Sequence, residues 1–371
     1  MINMKLLTSE QAAQALQISK ATLYAYVSRG LLESVEGPER SRRYRWEDVE
    51  RLRMRKIRPR EAAESALYWG MPSLQSSITT IESGRLSYRG HPVVELSQGA
   101  SLAQVAALLW TGQLEHPLEA STARGSHWSG PFLAGGLAWL AEQLEKDWSG
   151  WDLSPAGVHR TGWRIFQAFR AQLPEHPLLE QALILCADHE LNASTFAARV
   201  VASTGANPYA VVCAALAALS GPKHGGACAK VEALFAEAAQ GNPRTAIAER
   251  LRRGDPVAGF GHPLYPGGDP RARTLLKQTP AARPWIDAGQ QLLGCYPSID
   301  LALVALDLPR GGAFQVFATG RCLGWIAHAL EQYADGRMIR PRAFLEPGTN
   351  RTPRGYEQWR QCSRQPDEGD P

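Results

Sequence analysis

Residues that can carry acid–base chemistry fall in five short stretches of the second half of the chain. Three of these stretches place a histidine beside glycines or acidic residues, and the others carry an aspartate or widely spaced arginines. Glycine lets a backbone approach a ligand closely, and the arginine fork binds carboxylates through two hydrogen bonds. This set suits an enzyme that grips a polyanionic small molecule and moves protons next to a carbonyl group. The stretches are ADHELNAST (187–195), GPKHGGA (221–227), GFGHPLYPGGDPRAR (259–273), SID (298–300), and GRCLGWIAHALEQ with IRPRA (320–343).

The spacing of these stretches is too wide for one local loop, so a folded core must bring them together. The segment 183–227 predicts two helices with a break at Gly205–Pro208 and a glycine-rich corner around His224. The glycines near His262 lack the spacing of a dinucleotide-binding fingerprint, and no strand clearly precedes them. We therefore discount a Rossmann fold.

Length and composition indicate a soluble globular protein with room for two or three domains. The chain has 371 residues, of which 44% are hydrophobic and 20% charged. The longest apolar run, 209–219, is about half of what is needed to cross a bilayer, and the N-terminus lacks a signal pattern. We expect a cytoplasmic protein with no membrane contact. The six cysteines form no CxxC pair and have no zinc-ligand spacing, so we expect reduced, packed thiols and no metal.

The first 60 residues form a basic module. They hold 13 Lys or Arg against 7 Asp or Glu, a net charge of +6, whereas the whole chain has +4. Thr8 with Gln11 predicts a capping box, Ser19 predicts the cap of a second helix that stops at Gly30, and a third helix is predicted to start near Trp46. Two short helices joined by a tight turn form a helix-turn-helix, and the positive charge points to a polyanionic partner.

TSEQAAQALQISKATLYAYVSRGLL followed by RRYRWEDVERL resembles the winged helix-turn-helix of the MerR and excisionase type. The resemblance implies a domain at 1–58 whose second helix enters the major groove of duplex DNA and whose wing touches phosphates. The alternative interpretation is a basic appendage that docks on the body or on another protein. The residues that would contact DNA are Lys20, Thr22, Tyr24 and Tyr26 on or beside the helix, and Arg42 and Arg43 on the wing.

Between this module and the five chemical stretches, the sequence predicts a domain boundary and secondary structure but no catalytic motif. Residues 57–60 contain a proline that predicts a domain boundary. TTIES and RLSYRG predict short strands, and Ser101 predicts the cap of an amphipathic helix through Trp110. The stretch 116–162 is rich in tryptophan and matches no motif, so its tryptophans indicate helix packing. The tail 349–371 lacks periodicity, which predicts disorder.

The five chemical stretches, together with GRLSYRGHPVVEL (84–96), resemble the citrate synthase family in order and rough spacing from about residue 66 to 348. The resemblance implies a mainly α-helical, two-domain body at 59–371, with a small domain at about 230–301 that closes over a cleft. It also implies a homodimer and no cofactor or metal. The substrates implied are oxaloacetate and an acyl-CoA, which is acetyl-CoA for citrate synthase.

The family's reaction joins acetyl-CoA to oxaloacetate and then hydrolyses the thioester. A thioester methyl proton is very weakly acidic, so the enolate oxygen must be hydrogen-bonded as a base removes that proton. The resemblance makes Asp300 the base, His224 the donor to the thioester oxygen, and His262 the group that polarises the oxaloacetate carbonyl. The implied substrate-binding residues are His189, Arg271, Arg321 and Arg340, with Arg340 reaching into the partner's site across the dimer.

Other interpretations of these residues stay open at this point. Asp300 could merely cap a helix over 301–306, and His189 could be a satisfied core histidine. The chain also departs from the family pattern at Pro263, at Gly267–Gly268 and at 228–230. Most of these departures fall where the resemblance puts the CoA side of the cleft and the residues that support it, so they bear on acyl-CoA affinity and on rate.

Three functions are compatible with the sequence. The first is a citrate synthase with an added DNA-binding domain. The second is a 2-methylcitrate synthase, which uses propionyl-CoA; one methylene of pocket volume separates the two. The third is a transcription regulator that uses the synthase-like body to sense citrate, oxaloacetate or CoA esters.

Overall fold

The computed structural model describes residues 6–16, 18–28, 32–37, 41–46, 48–49, 74–115 and 128–341. The chain divides into two compact units, Met1–Gln75 and Ser76–Pro371. The predicted boundary at residues 57–60 and the predicted disordered tail lie outside the described residues, as do residues 116–127 of the tryptophan-rich stretch.

The first unit contains the predicted helix-turn-helix. The Thr8 hydroxyl accepts from Gln11 N at 3.1 Å and Gln11 Oε1 accepts from Thr8 N at 3.0 Å, which confirms the capping box. Ser19 Oγ accepts from Thr22 N at 3.1 Å, which confirms the second cap. Strand β3 pairs antiparallel with β1 and β2. The elements are β1 (Leu6–Thr8), α1 (Ser9–Ala15), α2 (Lys20–Ser28), β2 (Val35–Glu36) and β3 (Arg42–Arg45).

A small apolar core holds this unit together. Leu23 on α2 and Tyr44 on β3 are fully buried, and Leu7 on β1 packs in the same cluster. The helices and the sheet therefore share one core. Residues 46, 48 and 49 are helical, which confirms the start of the predicted third helix.

The second unit opens with a three-stranded antiparallel sheet and continues as a helical bundle, which confirms the mainly α-helical prediction. Its strands are β4 (Thr79–Glu82), β5 (Arg85–Tyr88) and β6 (His91–Pro92). Its α-helices in the described residues are α3 (Val93–Gly99), α4 (Leu102–Thr111), α5 (Phe132–Lys146), α6 (Pro155–Arg170), α7 (Leu179–Cys186), α8 (Ala193–Ala202), α9 (Pro208–Leu219), α10 (Ala227–Ala238), α11 (Pro243–Arg253), α12 (Pro270–Leu276), α13 (Arg283–Leu293), α14 (Ile299–Val304) and α15 (Gly312–Asp335).

Side-chain caps fix where several of these helices begin. Ser101 caps the start of α4, as predicted, and it forms a capping box with Gln104. Asn192 and Asn207 cap α8 and α9 through side-chain oxygens, and Gly205 provides the break between those helices with a φ of 78°. No helix in the described ranges combines the length and the apolar character that a membrane crossing requires.

Helix α15 is the centre of the body. It packs against α6, α7, α8 and α9, and most of its side chains from Val316 to Ala329 are buried. A Cβ atom at Gly320 would lie 2.7 Å from Leu183 O, and Gly324 N donates to Ala187 O at 3.0 Å. These glycines let α15 approach the end of α7 closely, which places Arg321 beside the loop that carries His189.

Candidate active site

The loop between α7 and α8 fixes His224. Asn192, the cap of α8, has its Oδ1 3.1 Å from His224 Nε2, and Ser194 Oγ lies 2.9 Å from the same nitrogen. Trp325 of α15 donates its indole N–H to Ser194 Oγ at 3.2 Å. Glu190 in this loop has a φ of 51°, an uncommon conformation for a residue with a Cβ. The glycine-rich corner is therefore tied to both α8 and α15.

A second set of backbone contacts ties the His262 loop to the segment before Asp300. Gly261 N donates to Tyr296 O at 2.9 Å, and Ser298 N donates to Gly259 O at 2.8 Å. Gly259 and Gly261 have φ values of 89° and 70°, which residues with a side chain rarely adopt. The glycines of the motif thus permit the antiparallel contact that brings the two segments together.

His189 and His262 lie next to each other. Their ring centroids are 5.2 Å apart, and the hydroxyl of Tyr265 lies 2.9 Å from His189 Nε2. His262 Nδ1 accepts from Leu264 N at 3.2 Å, so in the neutral ring the proton is on Nε2. Burial lowers the pKa of both imidazoles, and the charge of Arg271 lowers both further. Both rings are therefore neutral near pH 7.

Asp300 is held by weak donors. Cys228 Sγ lies 3.5 Å from Asp300 Oδ1, and Ser298 Oγ lies 3.3 Å from Oδ2. Burial raises the pKa of the Asp300 carboxyl, although Arg271, Cys228 and Ser298 act in the opposite direction. A carboxylate in this setting is a stronger base than one in water.

The alternative interpretation of Asp300 as a helix cap is wrong. Helix α14 begins at Ile299, so Asp300 is its second residue. Ser298 is the N-cap: its backbone is extended, with φ −84° and ψ 173°, and its carbonyl accepts from Ala302 N at 3.2 Å. The Asp300 side chain is therefore available for another role.

Two arginines are almost fully buried in this region. Arg271 on α12 binds Asp269 through two hydrogen bonds, Nε to Oδ1 at 3.0 Å and Nη2 to Oδ2 at 2.8 Å. Arg321 on α15 donates its Nε to Cys186 O at 2.9 Å, whereas its Nη1 has no hydrogen-bond partner among the described residues. An unpaired buried guanidinium nitrogen is costly, and a carboxylate ligand would satisfy it.

The same two charges act on all the candidate groups. Burial, and then the charge of Arg321, lowers the pKa of His224 to about 4. Arg271 acts on His262 and on Asp300, and both arginines act on His189. The structure therefore places six predicted residues, three buried and three half-buried, where their charges act on one another. They are His189, His224, His262, Arg271, Asp300 and Arg321.

Arg340 is placed differently. It is exposed and follows the end of α15, in a segment that Ile339 ties to α8 by donating its N–H to Ser203 Oγ at 3.0 Å. Its predicted role across a dimer stays a prediction.

A buried polar network next to the site was not predicted from the sequence. Asp188 is fully buried and accepts from the Thr79 hydroxyl at 2.6 Å, and His328 Nε2 lies 3.3 Å from it. Glu331, on the same helix as His328, pairs with Arg199 at 2.8 Å. Burial opposes the ionised form, but His328, Arg321 and Thr79 together hold the pKa of Asp188 below its usual value.

Several of the residues that complete the site lie inside the motifs that the sequence analysis singled out. Asp188 precedes His189, and both Tyr265 and Asp269 lie in the stretch that contains His262. Their position in the same motif as a predicted site residue is the sequence signal that could have identified them. Cys228 follows GPKHGGA directly, but nothing in its apolar surroundings indicated a contact with Asp300.

Four of the six predicted DNA-contacting residues of the first unit, Lys20, Tyr24, Arg42 and Arg43, line one concave face. This face encloses a cavity of about 700 Å³, which is lined by Thr8, Ser9, Glu10, Lys20, Tyr24, Ser41, Arg42 and Arg43. Lys20 pairs with Glu10, and the guanidinium of Arg42 lies 6.0 Å from the centre of the Tyr24 ring. Thr22 contacts Ser19 at 2.9 Å, and the half-buried Tyr26 packs against the core of this unit.

The geometry of both units agrees with the comparisons to known families. Residues 67–171 and 162–342 match the family model described as citrate synthase, C-terminal domain, and residues 6–56 match the model described as helix-turn-helix domain. The chain belongs to the citrate synthase family of enzymes, and it carries a helix-turn-helix domain ahead of that body.

Individual relatives agree with this assignment. A citrate synthase from Mycolicibacterium smegmatis is 31% identical over 336 residues, covering 70% of this chain and 88% of the relative. A 2-methylcitrate synthase from Mycobacterium tuberculosis is 30% identical over 331 residues, covering 70% of this chain and 84% of the relative. The match to a citrate synthase from Haloferax volcanii is 38% identical over 183 residues, 44% of this chain, and spans about half of that relative, 48%.

Solved structures of the family share the fold. Citrate synthase from Thermotoga maritima superposes with a TM-score of 0.58 at 25% identity, covering 76% of this chain and 95% of that one. Citrate synthase from Thermoplasma acidophilum, solved as a ternary complex with carboxymethyl coenzyme A and oxaloacetate, superposes with a TM-score of 0.59 at 24% identity, covering 77% and 97%.

Proposed function

We propose that the body condenses acetyl-CoA with oxaloacetate and water to give citrate and CoA. The observation that carries the proposal is the shared environment of one carboxylate of raised basicity, two neutral imidazoles and two buried guanidiniums. It supplies a base, two imidazoles that can donate hydrogen bonds and an anion-binding pair of arginines, which is the set that a carbon-acid condensation needs.

Asp300 acts as the base. Its carboxylate removes a proton from the methyl group of acetyl-CoA, and the electron pair moves onto the thioester oxygen. Burial raises the pKa of Asp300, so the barrier to this transfer falls as long as the group is ionised. The weak contacts from Cys228 and Ser298 leave its lone pairs available.

His224 donates a hydrogen bond to the developing enolate oxygen. In the structure the Ser194 hydroxyl donates to Asn192 Oδ1 at 2.7 Å, and that oxygen also lies 3.1 Å from His224 Nε2. Donation from Nδ1 therefore requires the Ser194 hydroxyl to turn from Asn192 Oδ1 to Nε2 across the 2.9 Å contact. Because the pKa of His224 is lowered to about 4, the ring stays neutral and functions as a donor without losing a proton. Trp325, which donates to Ser194 Oγ, orients that hydroxyl.

His262 polarises the ketone of oxaloacetate. Its Nδ1 accepts from Leu264 N, so the ring proton is on Nε2, and this N–H donates to the substrate oxygen in the proposed complex. When the methyl carbon bonds to the carbonyl carbon, that oxygen takes the Nε2 proton of His262. Water then adds its hydroxyl to the thioester carbonyl of the product, the carbon–sulfur bond breaks, and CoA leaves as the thiol with the other proton of that water. The proton that Asp300 removed returns to His262 Nε2, so both groups regain their starting forms, and the new carboxyl group of citrate releases its proton to solvent. These steps use no bound metal or cofactor.

The carboxylates of oxaloacetate are bound by the arginines. Arg321 offers the unpaired Nη1 described above, and Arg271 contributes its charge while Asp269 holds its orientation. His189 donates or accepts beside them, and Arg340 of a second copy completes the site in a homodimer. Closure of a small domain at about 230–301 would exclude water from the bound substrates.

Release of CoA thiol tests the proposal. We expect the full-length protein to release thiol from acetyl-CoA in the presence of oxaloacetate, and Asp300→Asn to lower the rate at least about 10³-fold. Asp307→Asn is the matched control, because Asp307 is exposed just beyond the same helix. Equal rates for the wild type and Asp300→Asn would reject the enzymatic proposal.

Propionyl-CoA in the same assay distinguishes a 2-methylcitrate synthase. One relative carries that name, and a single methylene changes binding by about 1–3 kcal/mol. A kcat/KM that is higher for propionyl-CoA than for acetyl-CoA would assign the chain to that activity.

We also propose that the first unit binds duplex DNA. Its support is the concave face that gathers Lys20, Arg42 and Arg43 with the exposed Tyr24. In a fluorescence anisotropy titration of labelled duplex, log K should fall linearly with log salt concentration. The double change Arg42→Ala with Arg43→Ala should reduce that slope by about two, whereas Arg85→Ala in the body should leave it unchanged. If the Arg42→Ala, Arg43→Ala double variant keeps the wild-type slope, the wing is not part of the DNA interface.

If DNA binding persists while thiol release is absent, the chain is a regulator whose body senses a metabolite. DNA affinity should then change with citrate, oxaloacetate or acetyl-CoA. An affinity that none of the three changes would reject that role too.

A further inference from the structure

Cys228 is the side chain that contacts the proposed base most directly from another element. It is the second residue of α10, and its side chain is fully buried. Its Sγ lies 3.5 Å from Asp300 Oδ1, a distance at which a thiol S–H donates to a carboxylate. It lies four positions after His224, so one short segment carries a proposed donor to the substrate and a donor to the base.

The thiol acts as a donor and not as a nucleophile. Burial, and then the negative charge of Asp300, raises the pKa of Cys228 well above its usual range, so the sulfur keeps its proton. An ionised Asp300 accepts only, which fixes the direction of the hydrogen bond from sulfur to oxygen. No accessible face remains for chemistry at the sulfur.

A thiol is a weak donor, and this sets its effect on the base. A hydroxyl in the same place would stabilise the carboxylate more strongly and make it a poorer base. An apolar side chain would give Oδ1 no hydrogen bond and leave the carboxylate group free to rotate. The remaining contact, from Ser298 Oγ at 3.3 Å, is also long. The two weak contacts therefore orient the carboxylate while leaving most of its basicity.

We propose that Cys228 is a positioning residue that orients the Asp300 carboxylate toward the reacting carbon through a weak S–H hydrogen bond and so preserves its basicity. This inference rests on the proposed condensation. It adds a residue that acts through the base and does not itself touch the substrate.

Other groups face this pair and set the background against which Cys228 acts. Arg271 on α12 and Asp269, the N-cap of that helix, act on the carboxylate, and Ser298 acts from the residue before α14. Glu232 on α10 and Cys186 at the end of α7 act on the thiol. Substitution of Cys228 leaves all of these groups in place, so the change it produces belongs to the hydrogen bond.

Direct titration of Asp300 tests the inference in the full-length protein. Aspartate carries a ¹³C-labelled carboxyl, and the resonance that Asp300→Asn removes is followed against pH. In Cys228→Ser the midpoint should move to lower pH by about 0.5, and in Cys228→Ala to higher pH by a similar amount. Cys322→Ser is the control, because Cys322 is equally buried but donates to Ala318 O of its own helix; its midpoint should match the wild type.

Enzyme kinetics supply the second readout. The acid limb of kcat against pH should move with the titration midpoint in both Cys228 variants, and kcat on the plateau should fall several-fold in Cys228→Ser, whose base is weaker. Circular dichroism and the thermal midpoint establish that each variant is folded.

The two ways to fail are distinguishable. A titration midpoint that is the same in the wild type and both folded Cys228 variants overturns the role of Cys228, whatever the turnover. If the Asp300 midpoint shifts in the Cys228 variants but the wild-type protein releases no CoA thiol, the condensation is rejected and, with it, the positioning role.

Discussion

The start of α12 and the middle of α15 each bury an arginine, but the two regions satisfy the charge differently. At α12, Arg271 is locked to Asp269 by two hydrogen bonds, and Asp269 also accepts from Arg271 N. At α15, Arg321 has the Nε bond to Cys186 O and a buried Nη1 with no partner in the described residues. The pKa values follow this contrast. Burial opposes both cations, yet Asp269 raises the pKa of Arg271 above its usual value, whereas the pKa of Arg321 is lowered.

This difference separates a charge that the fold satisfies from a charge that a ligand must satisfy. A paired buried ion is expensive to break, because removing one partner leaves the other unpaired. An unpaired buried cation weakens the fold and is retained where it meets a ligand. We therefore expect changes at the two arginines to separate stability from activity.

The largest effect should come from breaking the α12 pair. Asp269→Asn keeps the cap to Arg271 N but leaves the buried guanidinium uncompensated, at a cost of about 3–5 kcal/mol in the free energy of unfolding. Urea denaturation monitored by circular dichroism measures this change. Asp287→Asn, which breaks the exposed i,i+4 pair with Arg283, is the control and should change stability by less than about 0.5 kcal/mol. A similar small change for Asp269→Asn would remove the distinction between the two regions.

The next effect should be the loss of activity at α15. Arg321→Met removes the unpaired donor from the site, so we expect kcat/KM for oxaloacetate to fall about 10²–10³-fold. Oxaloacetate should also cease to raise the thermal midpoint of this variant. Arg310→Met, a change at an exposed arginine just before α15, should leave both readouts intact. Full activity in Arg321→Met would mean that its unpaired nitrogen meets no carboxylate.

Much of the fold was predictable because local signals and tertiary structure agree. The capping box at Thr8, the cap at Ser101 and the break at Gly205 depend only on neighbouring residues, and each is confirmed. The helical class and the helix-turn-helix followed from periodicity and motif resemblance. Local signals failed at Asp300, where an acidic residue near a helix start suggested a cap, although the extended backbone of Ser298 provides it.

The residues that complete the site were harder to predict, because their partners are distant in the chain. Asp188 meets Thr79 and His328 across intervals of more than a hundred residues, and Cys228 meets Asp300 across 72. Periodicity marks such positions as buried but cannot say what they face. Whether Arg321 is paired depends on the whole bundle, so the contrast between the two arginines is visible only in three dimensions.

A smaller effect links Arg321 to His224 through pH. The pKa of His224 is about 4 in the folded protein, against an ordinary value of 6.5, because burial and then Arg321 disfavour the imidazolium. Between pH 6.5 and 4 the unfolded chain therefore binds a proton that the folded protein does not. This contribution to stability is complete above pH 6.5 and is lost as pH falls toward 4, at up to about 1.4 kcal/mol per pH unit.

Unfolding free energies from pH 7 to 4 measure this slope. His224→Gln should flatten it, and Arg321→Met should flatten it in part, because the neighbouring positive charge is gone. His91→Gln removes an exposed imidazole and should retain the wild-type slope. A steep slope in His224→Gln would assign the lost stability to other groups.

The smallest effect, and the sharpest for the comparison, is the stability of Arg321→Met above pH 6.5. Methionine fills much of the arginine volume and needs no partner for Nη1, so burial of an under-satisfied cation is replaced by apolar packing. Against this, the change removes the bond to Cys186 O and a positive neighbour of Asp188. We expect these terms to nearly cancel, with a net change within about 1 kcal/mol. An inactive variant with unchanged stability would show that the fold tolerates Arg321 rather than needing it. A loss of about 3–5 kcal/mol, comparable to that of Asp269→Asn, would instead place both arginines among the charges that hold the body together.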